Sequence, residues 1–443
     1  MKEVSVVGLG KLGACLATCL AFRGYEVLSH DKNPARVNLI NNGQAPVVEP
    51  RLQELIDRVG PKLQATANPS EVIKNSHITF IVLPTPSTKR GDFSDRYLQD
   101  FFQASAPSLK QKKGYHLFVI TSTVSPGTTT NHLIPLIERL SEKKINNDFG
   151  LCYNPEFIAL GNVVNDMLKP DLVLIGESDK GAGDRLAKVY LQLCENSPPI
   201  ARMSIAGAEI AKISLNAYVT MKISFANTLG NICERVPGAD VDAITAALGA
   251  DKRISPYYLK SGAAFGGPCF PRDSKAFSVF TKQLGLEAKL SEATERVNHG
   301  QVKNLLNKIE QAIKEVSNPS ISLLGLAYKT KTPVVEESIT LAIIRFLLKQ
   351  HPRIKISVYD PLAMSTTREI FGDKINYAAS MAECLSQSSL WVVVTTEPEF
   401  QTISRKHLKR KPTTIIDCWR ILDQDKLGAG FKYHALGRND PNN

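Results

Sequence analysis

The chain has 443 residues, of which 43% are hydrophobic and 22% charged, and a formal net charge of +11. This length is too great for one ordinary core and predicts two or three domains. No stretch reaches the roughly 18 uninterrupted apolar residues of a membrane span. The N terminus enters a strand-like run with no signal-peptide pattern. We therefore expect a cytoplasmic protein with no membrane partner.

The positive charge is spread along the chain, and its densest runs are only 110–113 and 405–411. A surface that attracts small polyanionic ligands explains this balance as well as nucleic-acid binding does. We predict no nucleic-acid partner.

The eight cysteines form no Cys-x-x-Cys pair and have no metal-ligand spacing with histidine. The pattern indicates a reducing compartment, mostly buried thiols and no metal site.

The first part of the chain alternates short apolar runs with amphipathic stretches. Strands are predicted at 4–7, 25–29, 77–83, 116–120 and 172–175, and helical patterns include 50–59 and 128–140. This alternation is typical of parallel βαβ units in a doubly wound sheet. We place a Rossmann-like dinucleotide-binding domain at residues 1–203.

A helical pattern follows the first domain. Residues 206–234 contain no proline and repeat apolar residues at helical spacing, which predicts one long helix. Further helical sequence extends to about 313 and is broken by a loop at 254–273. We place a helical middle domain at residues 204–314.

The remaining residues, 315–443, return to βαβ alternation and weakly repeat the first domain. Residues 322–327 resemble 5–10, and 356–361 resemble 27–31. Ala327 replaces the glycine that corresponds to Gly10, so this copy is predicted to hold a different anionic ligand. The fold class is therefore α/β, with two Rossmann-like doubly wound parallel-sheet domains joined by a helical domain with one long central helix.

The run Gly8-Leu9-Gly10-Lys11-Leu12-Gly13 follows the first strand and opens a helix. In this context the three glycines make the tight turn, admit a pyrophosphate and let helix and strand pack closely. Asp31 ends the second strand 18 residues after Gly13, where an acid bonds ribose hydroxyls and repels a 2′-phosphate. The motif predicts NAD. The alternative is a glycine turn that binds no ligand, and Lys32 and Arg36 are nearby positive charges that oppose the preference for NAD over NADP.

Cys269 lies in a loop rich in glycine and proline, three residues before Arg272 and four before Asp273. A nearby guanidinium favours the thiolate, and a carboxylate can relay protons or position water. A nucleophilic cysteine and a core thiol both remain open on these residues alone.

Two further groups can carry chemistry. Lys212 and Asn216 lie four residues apart on the long helix, so they share a face and could stabilise an oxyanion. Glu156 follows Asn154-Pro155 at the end of a predicted strand and is a candidate general base. The alternatives are a solvated helix face and a turn or helix cap.

In combination, these motifs resemble those of the UDP-glucose/GDP-mannose dehydrogenase family over nearly the whole chain. The resemblance rests on the glycine motif and on segments in the family's order: 46–50, 82–86, 122–128, 154–157, the Lys212/Asn216 helix and 266–273.

The resemblance implies oxidation of a nucleotide-sugar C6 alcohol to a carboxylate by two NAD⁺, with Cys269 forming a thiohemiacetal and then a thioester. The implied catalytic residues are Cys269, Lys212, Asn216, Asp273, Glu156 and Thr123. Cofactor binding is implied for Gly8, Gly10, Leu12, Gly13, Asp31, Lys32, Thr85, Thr123 and Arg272. Substrate binding is implied for Phe157, Ile158, Lys212, Asn216, Arg253, Tyr257, Phe265, Gly266 and Lys329. Arg253 resembles an arginine that reaches the substrate of a partner subunit, which implies a homodimer formed through the long helix.

The chain departs from the family pattern at several positions. Ile158-Ala159-Leu160-Gly161 replaces a usual Leu-Arg-Glu-Gly, Thr228 replaces a glutamate, and Arg272 replaces a lysine. Glu336 stands where the family has an arginine, which reverses a charge near the predicted ligands.

Within the family, Asn154–Phe157 resembles the branch that acts on sugars with a free 2-hydroxyl rather than on 2-acetamido sugars, and Phe270 favours UDP-glucose over GDP-mannose. GDP-mannose or another nucleotide sugar is the alternative substrate. Two other classes remain: a two-electron dehydrogenase that needs no nucleophilic cysteine, and a nucleotide-sugar binding protein without catalysis.

Overall fold

The structure is a computed structural model that describes residues 4–158, 160–407 and 412–439. It divides into two compact units, residues 1–214 and 215–443, and the boundary falls within helix α9. The predicted three-domain division stays a prediction.

The first unit contains a sheet of eight strands in the order β3-β2-β1-β4-β5-β6-β7-β8, counted over the described residues. The strands are β1 Val4–Val7, β2 Val27–His30, β3 Leu63–Thr66, β4 Ile78–Ile81, β5 His116–Ile120, β6 Phe149–Tyr153, β7 Val173–Glu177 and β8 Ile200–Ser204. Its helices are α1 Lys11–Phe22, α2 Pro34–Asn41, α3 Leu52–Val59, α4 Pro69–Lys74, α5 Arg96–Gln111, α6 Ile134–Ser141, α7 Val163–Leu168 and α8 Lys180–Leu193.

Both faces of this sheet are buried. Along β5, Leu117 and Val119 pack into one apolar cluster with α1, α7 and α8, whereas Phe118 and Ile120 pack into another with α4, α5 and α6. Since successive side chains of a strand point to opposite faces, helices on both sides produce this pattern. The predicted doubly wound sheet is therefore confirmed.

One strand pair runs against the predicted direction. β6 and β7 pair antiparallel, with Tyr153 opposite Gly176, whereas the other neighbours in this sheet are parallel. The apolar pattern of a strand is the same in either direction, so the sequence does not reveal this reversal.

The long helix α9 extends over Ile205–Cys233, which confirms the prediction for 206–234 to within one residue at each end. The helices that follow are α10 Val241–Ala250, α11 Phe270–Gln283 and α12 Lys289–Lys314. Among the helices described, none has the length and apolar character needed to span a membrane.

The second unit also carries a parallel sheet, of six described strands in the order β11-β10-β9-β12-β13-β14. The strands are β9 Ser320–Leu324, β10 Lys355–Tyr359, β11 Asn376–Tyr377, β12 Leu390–Val393, β13 Thr414–Asp417 and β14 Lys432–Ala435. Its helices are α13 Ile339–Gln350, α14 Met364–Phe371, α15 Met381–Ser386 and α16 Gln424–Leu427.

The internal repeat extends to individual hydrogen bonds. In the first sheet Leu9 N donates to Asp31 Oδ2 at 2.8 Å, and in the second Leu326 N donates to Asp360 Oδ2 at 2.8 Å. Each acid ends the second strand of its unit and orients the turn after the first strand. The connection between the first strand and the next helix differs in length between the two units. In the first unit α1 begins directly after the turn, whereas in the second α13 begins only at Ile339.

Candidate active site

The turn between β1 and α1 is built on three glycines with different local constraints. A Cβ at Gly8, where φ is +97°, would lie 2.3 Å from Val82 O, and one at Gly13 would lie 1.8 Å from Gly8 O. No atom lies within 4 Å of a Cβ at Gly10. Gly10 is also the N-cap of α1, and no side chain caps this helix end. The open space beside uncapped backbone N–H groups fits a pyrophosphate.

Asp31 is buried at the carboxyl end of β2. Its Oδ1 accepts from Asn33 N at 2.8 Å, and Arg36 Nη1 lies 3.3 Å from its Oδ2. A fixed carboxylate here can bond ribose hydroxyls and repels a 2′-phosphate. Lys32 is exposed, with Nζ 4.9 Å from the centre of the Tyr97 ring. The residues present therefore fit NAD.

Two other residues predicted to bind the cofactor follow neighbouring strands of the same sheet. Thr85 follows β4, and its Oγ1 donates to the backbone oxygen of Thr123, which follows β5, at 2.6 Å. Leu12 is partly buried against the apolar cluster under α1. The first unit thus gathers these residues at the carboxyl ends of its central strands, where ligands bind doubly wound sheets. Arg272 belongs to the second unit.

Lys212, on α9, is buried against the segment after β6. Its Nζ donates to the backbone oxygen of Glu156 at 2.7 Å and lies 4.6 Å from the centre of the Phe157 ring. Ile158 packs against the apolar cluster that includes α1. The structure therefore brings Lys212 to Glu156 and Phe157 of the predicted site.

The carboxyl of Glu156 is turned towards α8. Its Oε1 lies 2.9 Å from Tyr190 Oη, which lies 2.5 Å from Asn154 Oδ1. Burial raises the pKa of Glu156 to about 7, against smaller opposing effects of Tyr190 and Lys212. The motif at 154–157 predicted an acid here, but no sequence signal pointed to Tyr190.

A second carboxyl, for which the sequence predicted no role, holds the loop after β5. Glu209 is fully buried, and it accepts from Gly127 N at 2.6 Å and from Thr129 N at 3.0 Å. Thr129 begins the helical turn Thr129–Leu133 that leads into α6, and Gly127 lies two residues before it. Glu209 thereby anchors the loop that carries Thr123.

In the second unit, Cys269 is the N-cap residue of α11. The predicted loop at 254–273 was too long, because the helix already begins at Phe270; Pro271 favours this start, since proline suits the first turn of a helix. All eight cysteines lie in described segments, and among them Cys269 alone is exposed. A helix N terminus favours a negative charge, so this position suits a thiolate.

Asp273 is buried one turn into α11. Its Oδ2 accepts from Asn216 Nδ2 at 2.6 Å, and Arg272 Nε lies 3.3 Å from its Oδ1. Asp273 N donates to Cys269 O at 2.8 Å. The structure thus joins Cys269, Arg272, Asp273 and Asn216, which lie up to 57 positions apart in the chain.

The glycines before Cys269 pack against the segment that carries Lys329. Gly267 N donates to Glu336 O at 3.1 Å, and a Cβ at Gly267 would lie 2.4 Å from the Tyr328 ring. A Cβ at Gly266 would lie 2.0 Å from Glu337 O. The Cys269 loop and the predicted substrate-binding segment therefore form one packed structure within the second unit.

Phe265 is held next to this structure, whereas two other predicted substrate residues lie at the surface. Phe265 N donates to Asn298 Oδ1 at 2.9 Å. Arg253 is highly exposed and pairs with Asp251, with Nη2 2.6 Å from Oδ2. Tyr257 is 77% exposed. Both surface residues are accessible to a second molecule.

The departures from the family pattern have local explanations in part. Thr228 Oγ1 donates to Ser224 O at 2.9 Å within α9. Glu336 is exposed, and it is its backbone oxygen that contacts Gly267. Ala159 lies outside the described residues.

Over the described segments, no group of three or more His, Cys, Asp or Glu could hold a metal ion.

Family models match three successive segments of the chain. Residues 2–194 match the NAD binding domain of the UDP-glucose/GDP-mannose dehydrogenase family, 206–300 its central domain and 322–424 its UDP binding domain. These matches cover the glycine turn, the α9 and Cys269 segments and most of the second sheet.

Whole-chain relatives agree. The chain is 33% identical to a UDP-glucose 6-dehydrogenase of Haloferax volcanii, covering 98% of this chain and 100% of that protein. It is 33% identical to a GDP-mannose 6-dehydrogenase of Pseudomonas aeruginosa, with 86% and 87% covered. A solved UDP-glucose dehydrogenase of Pyrobaculum islandicum superposes with a TM-score of 0.90 at 30% identity, covering 99% of this chain and 98% of that one. The chain therefore belongs to the UDP-glucose/GDP-mannose dehydrogenase family, whose members are NAD-dependent nucleotide-sugar 6-dehydrogenases.

Proposed function

We propose that this enzyme oxidises the C6 alcohol of UDP-glucose to the carboxylate of UDP-glucuronate, with Cys269 as a covalent nucleophile. The observation that carries the proposal is the exposed thiol at the N terminus of α11, one turn from the buried Asp273. A two-electron dehydrogenase has no use for such a thiol, whereas a four-electron oxidation needs the aldehyde held between its two steps.

Bound NAD⁺, cradled by Gly8, Gly10 and Gly13, supplies the hydride acceptor for each of the two oxidations. In the first, Glu156 as the general base takes the proton of the C6 hydroxyl. The Cys269 thiolate then adds to the aldehyde carbon and forms a thiohemiacetal. The second oxidation leaves a thioester, and a water positioned by Asp273 and Thr123 cleaves its C–S bond, releasing the uronate and the thiol.

Lys212 and Asn216 are the proposed oxyanion donors. Both residues are buried and carry nitrogen donors. Lys212 donates to the backbone oxygen of Glu156, and Asn216 donates to the Oδ2 atom of Asp273. Donors held in advance stabilise charge that develops on the C6 oxygen without reorganisation at the moment of reaction. Arg272 is proposed to contact the cofactor.

UDP-glucose is proposed over GDP-mannose because a UDP-glucose 6-dehydrogenase aligns in sequence over 98% of this chain, including the second sheet, and a solved UDP-glucose dehydrogenase superposes with a TM-score of 0.90. A specific observation supports the alternative: a GDP-mannose 6-dehydrogenase of Pseudomonas syringae is 37% identical, but over 76% of this chain. The proposed substrate contacts are Phe157, Ile158, Tyr257, Phe265, Gly266 and Lys329, together with Lys212 and Asn216.

We expect the purified protein to form two NADH for each UDP-glucose consumed, because each C6 oxidation yields one. The test is NADH absorbance against uronate quantified by chromatography, with GDP-mannose and UDP-N-acetylglucosamine in parallel. One NADH per sugar would contradict the four-electron reaction. Turnover of GDP-mannose alone would reassign the substrate, and no turnover with any of the three would contradict the proposal.

We also propose that the protein is a homodimer through α9. Tyr218, Phe225 and Ile232 recur every seven residues along this helix, and each is more than half exposed. This spacing places them on one face of the helix, and a row of exposed apolar side chains at this spacing is typical of a helix–helix interface. Arg253 is proposed to reach the partner's substrate.

Phe225→Asp is expected to halve the molar mass measured by light scattering, because a buried carboxylate would disrupt an apolar interface. Leu191→Asp is the matched control, since Leu191 is an exposed apolar residue on α8 that the proposed interface does not use. A monomeric wild-type protein would contradict the dimer.

A further inference from the structure

One hydroxyl in the first unit faces two acceptors. Tyr190 Oη lies 2.5 Å from Asn154 Oδ1 and 2.9 Å from Glu156 Oε1. A phenol carries one proton and can donate it to one of them only. If both contacts are hydrogen bonds, the second partner must donate to Tyr190.

Asn154 cannot be that donor in its present orientation. Its Nδ2 donates to Leu174 O on β7 at 2.9 Å, and its backbone N donates to Ile120 O on β5 at 2.8 Å. Turning the amide over would place Oδ1 against the oxygen of Leu174, two acceptors in contact. The Tyr190 proton therefore belongs to Asn154, and the proton between Tyr190 and Glu156 belongs to the carboxyl.

The surroundings of Glu156 agree with a neutral carboxyl. Lys212 of α9 directs its ammonium to the backbone oxygen of Glu156. The thiols of Cys19 on α1 and Cys194 after α8 are also close enough to interact with a charge on Glu156, and burial raises the pKa of both thiols. Burial raises the pKa of Glu156 itself to about 7 even with the Tyr190 hydroxyl opposing the rise, and a hydroxyl that accepts would reinforce it.

We propose that Tyr190, oriented by Asn154, is a positioning residue that keeps Glu156 a neutral acid in the resting enzyme and sets the pH at which Glu156 becomes a base. This rests on the proposed function. For Glu156 to accept the C6 hydroxyl proton, its own proton must first leave to solvent. The Tyr190 hydroxyl then has a carboxylate to donate to and turns away from Asn154.

Ionisation of Glu156 can be followed without turnover, through protein stability. A pKa raised by folding means that the folded state binds the proton more tightly than the unfolded state. The stability that this proton contributes is complete below the ordinary pKa of a glutamate and is lost as pH rises through about 7. Glu156→Gln removes the titrating carboxyl but keeps an N–H donor that can bond Tyr190. This variant is therefore the reference against which the contribution of the Glu156 proton to stability is measured.

The experiment compares melting temperatures from pH 4.5 to 8.5 for the full chain with and without Glu156→Gln, in the wild-type and Tyr190→Phe backgrounds. We expect the wild-type midpoint, at about 7 or above, to fall by about one pH unit in Tyr190→Phe, because the neutral carboxyl loses its acceptor. An upward shift would overturn the proposal, since it would show that Tyr190 donates to a carboxylate. A wild-type protein with no titration in this range would overturn it as well.

Asn154→Ala provides a second route if Tyr190→Phe does not fold. Freed from Asn154, the hydroxyl would donate to the carboxylate, so the midpoint should again fall, and an unchanged midpoint would overturn the proposal. Tyr359→Phe is the matched control, because Tyr359 donates to Glu399 at 3.0 Å in the second unit and should leave the midpoint in place. In an active enzyme, the acidic limb of the plot of kcat against pH should shift together with the stability midpoint. If the protein is inactive but shows the predicted titration, the proposed function fails and the inference about Tyr190 and Glu156 stands.

Discussion

Cys269→Ser is expected to reduce the kcat for NADH formation by roughly 10³-fold or more, the usual scale for loss of a catalytic nucleophile. Serine nearly reproduces the size of cysteine, but its hydroxyl is not ionised near neutral pH and is a weak nucleophile without a base. The first oxidation does not require the thiol. A single-turnover experiment should therefore yield at most one NADH per enzyme-bound sugar, with aldehyde rather than uronate as the product.

The control for this variant is Cys384→Ser, which changes a buried thiol on α15 of the second unit and should retain activity. A separate check uses the exposure of Cys269. Alkylation of the native protein with iodoacetamide should modify this residue before the seven buried thiols, as read by mass spectrometry. Uronate formed by Cys269→Ser at a rate close to that of the wild type would refute covalent catalysis.

The second large effect concerns the glycine turn. Gly10→Ala is expected to weaken NAD⁺ binding by at least about tenfold, because the methyl group enters the space that the pyrophosphate needs. The fold should be unaffected, since no atom lies within 4 Å of the added Cβ. Titration calorimetry gives the Kd, and thermal unfolding shows whether the fold is retained.

Gly13→Ala should behave differently, because its Cβ would lie 1.8 Å from a backbone oxygen that cannot yield. We expect a loss of about 3 kcal/mol or more in the free energy of unfolding. Gly300→Ala is the control for both: it lies in α12 with no atom within 4 Å of a Cβ and should not change the Kd for NAD⁺. Equal Kd values for Gly10→Ala and the wild type would refute the cofactor assignment of this turn.

Structural features that depend only on residues close together in the chain could be predicted from the sequence alone. Gly8 and Gly13 were predictable because a tight strand-to-helix turn excludes side chains. α9 was predictable because no proline interrupts its 29 residues. Asp31 and its counterpart Asp360 could be found from the spacing of one βα unit, and Cys269 from its unusual glycine and proline neighbours.

The meeting of distant side chains, in contrast, depends on the tertiary structure. Tyr190 contacts Asn154 and Glu156, which lie 36 and 34 residues earlier in the chain. Asn216 bonds Asp273 at a separation of 57 residues, and Glu209 bonds Gly127 at a separation of 82 residues. No local period encodes such pairs, since a polar residue has the same sequence pattern whether it faces solvent or a buried partner. The proposed protonation of Glu156 also depends on the tertiary structure. The carboxyl becomes buried, and the Tyr190 hydroxyl comes to lie between two oxygen atoms, only once the chain has folded.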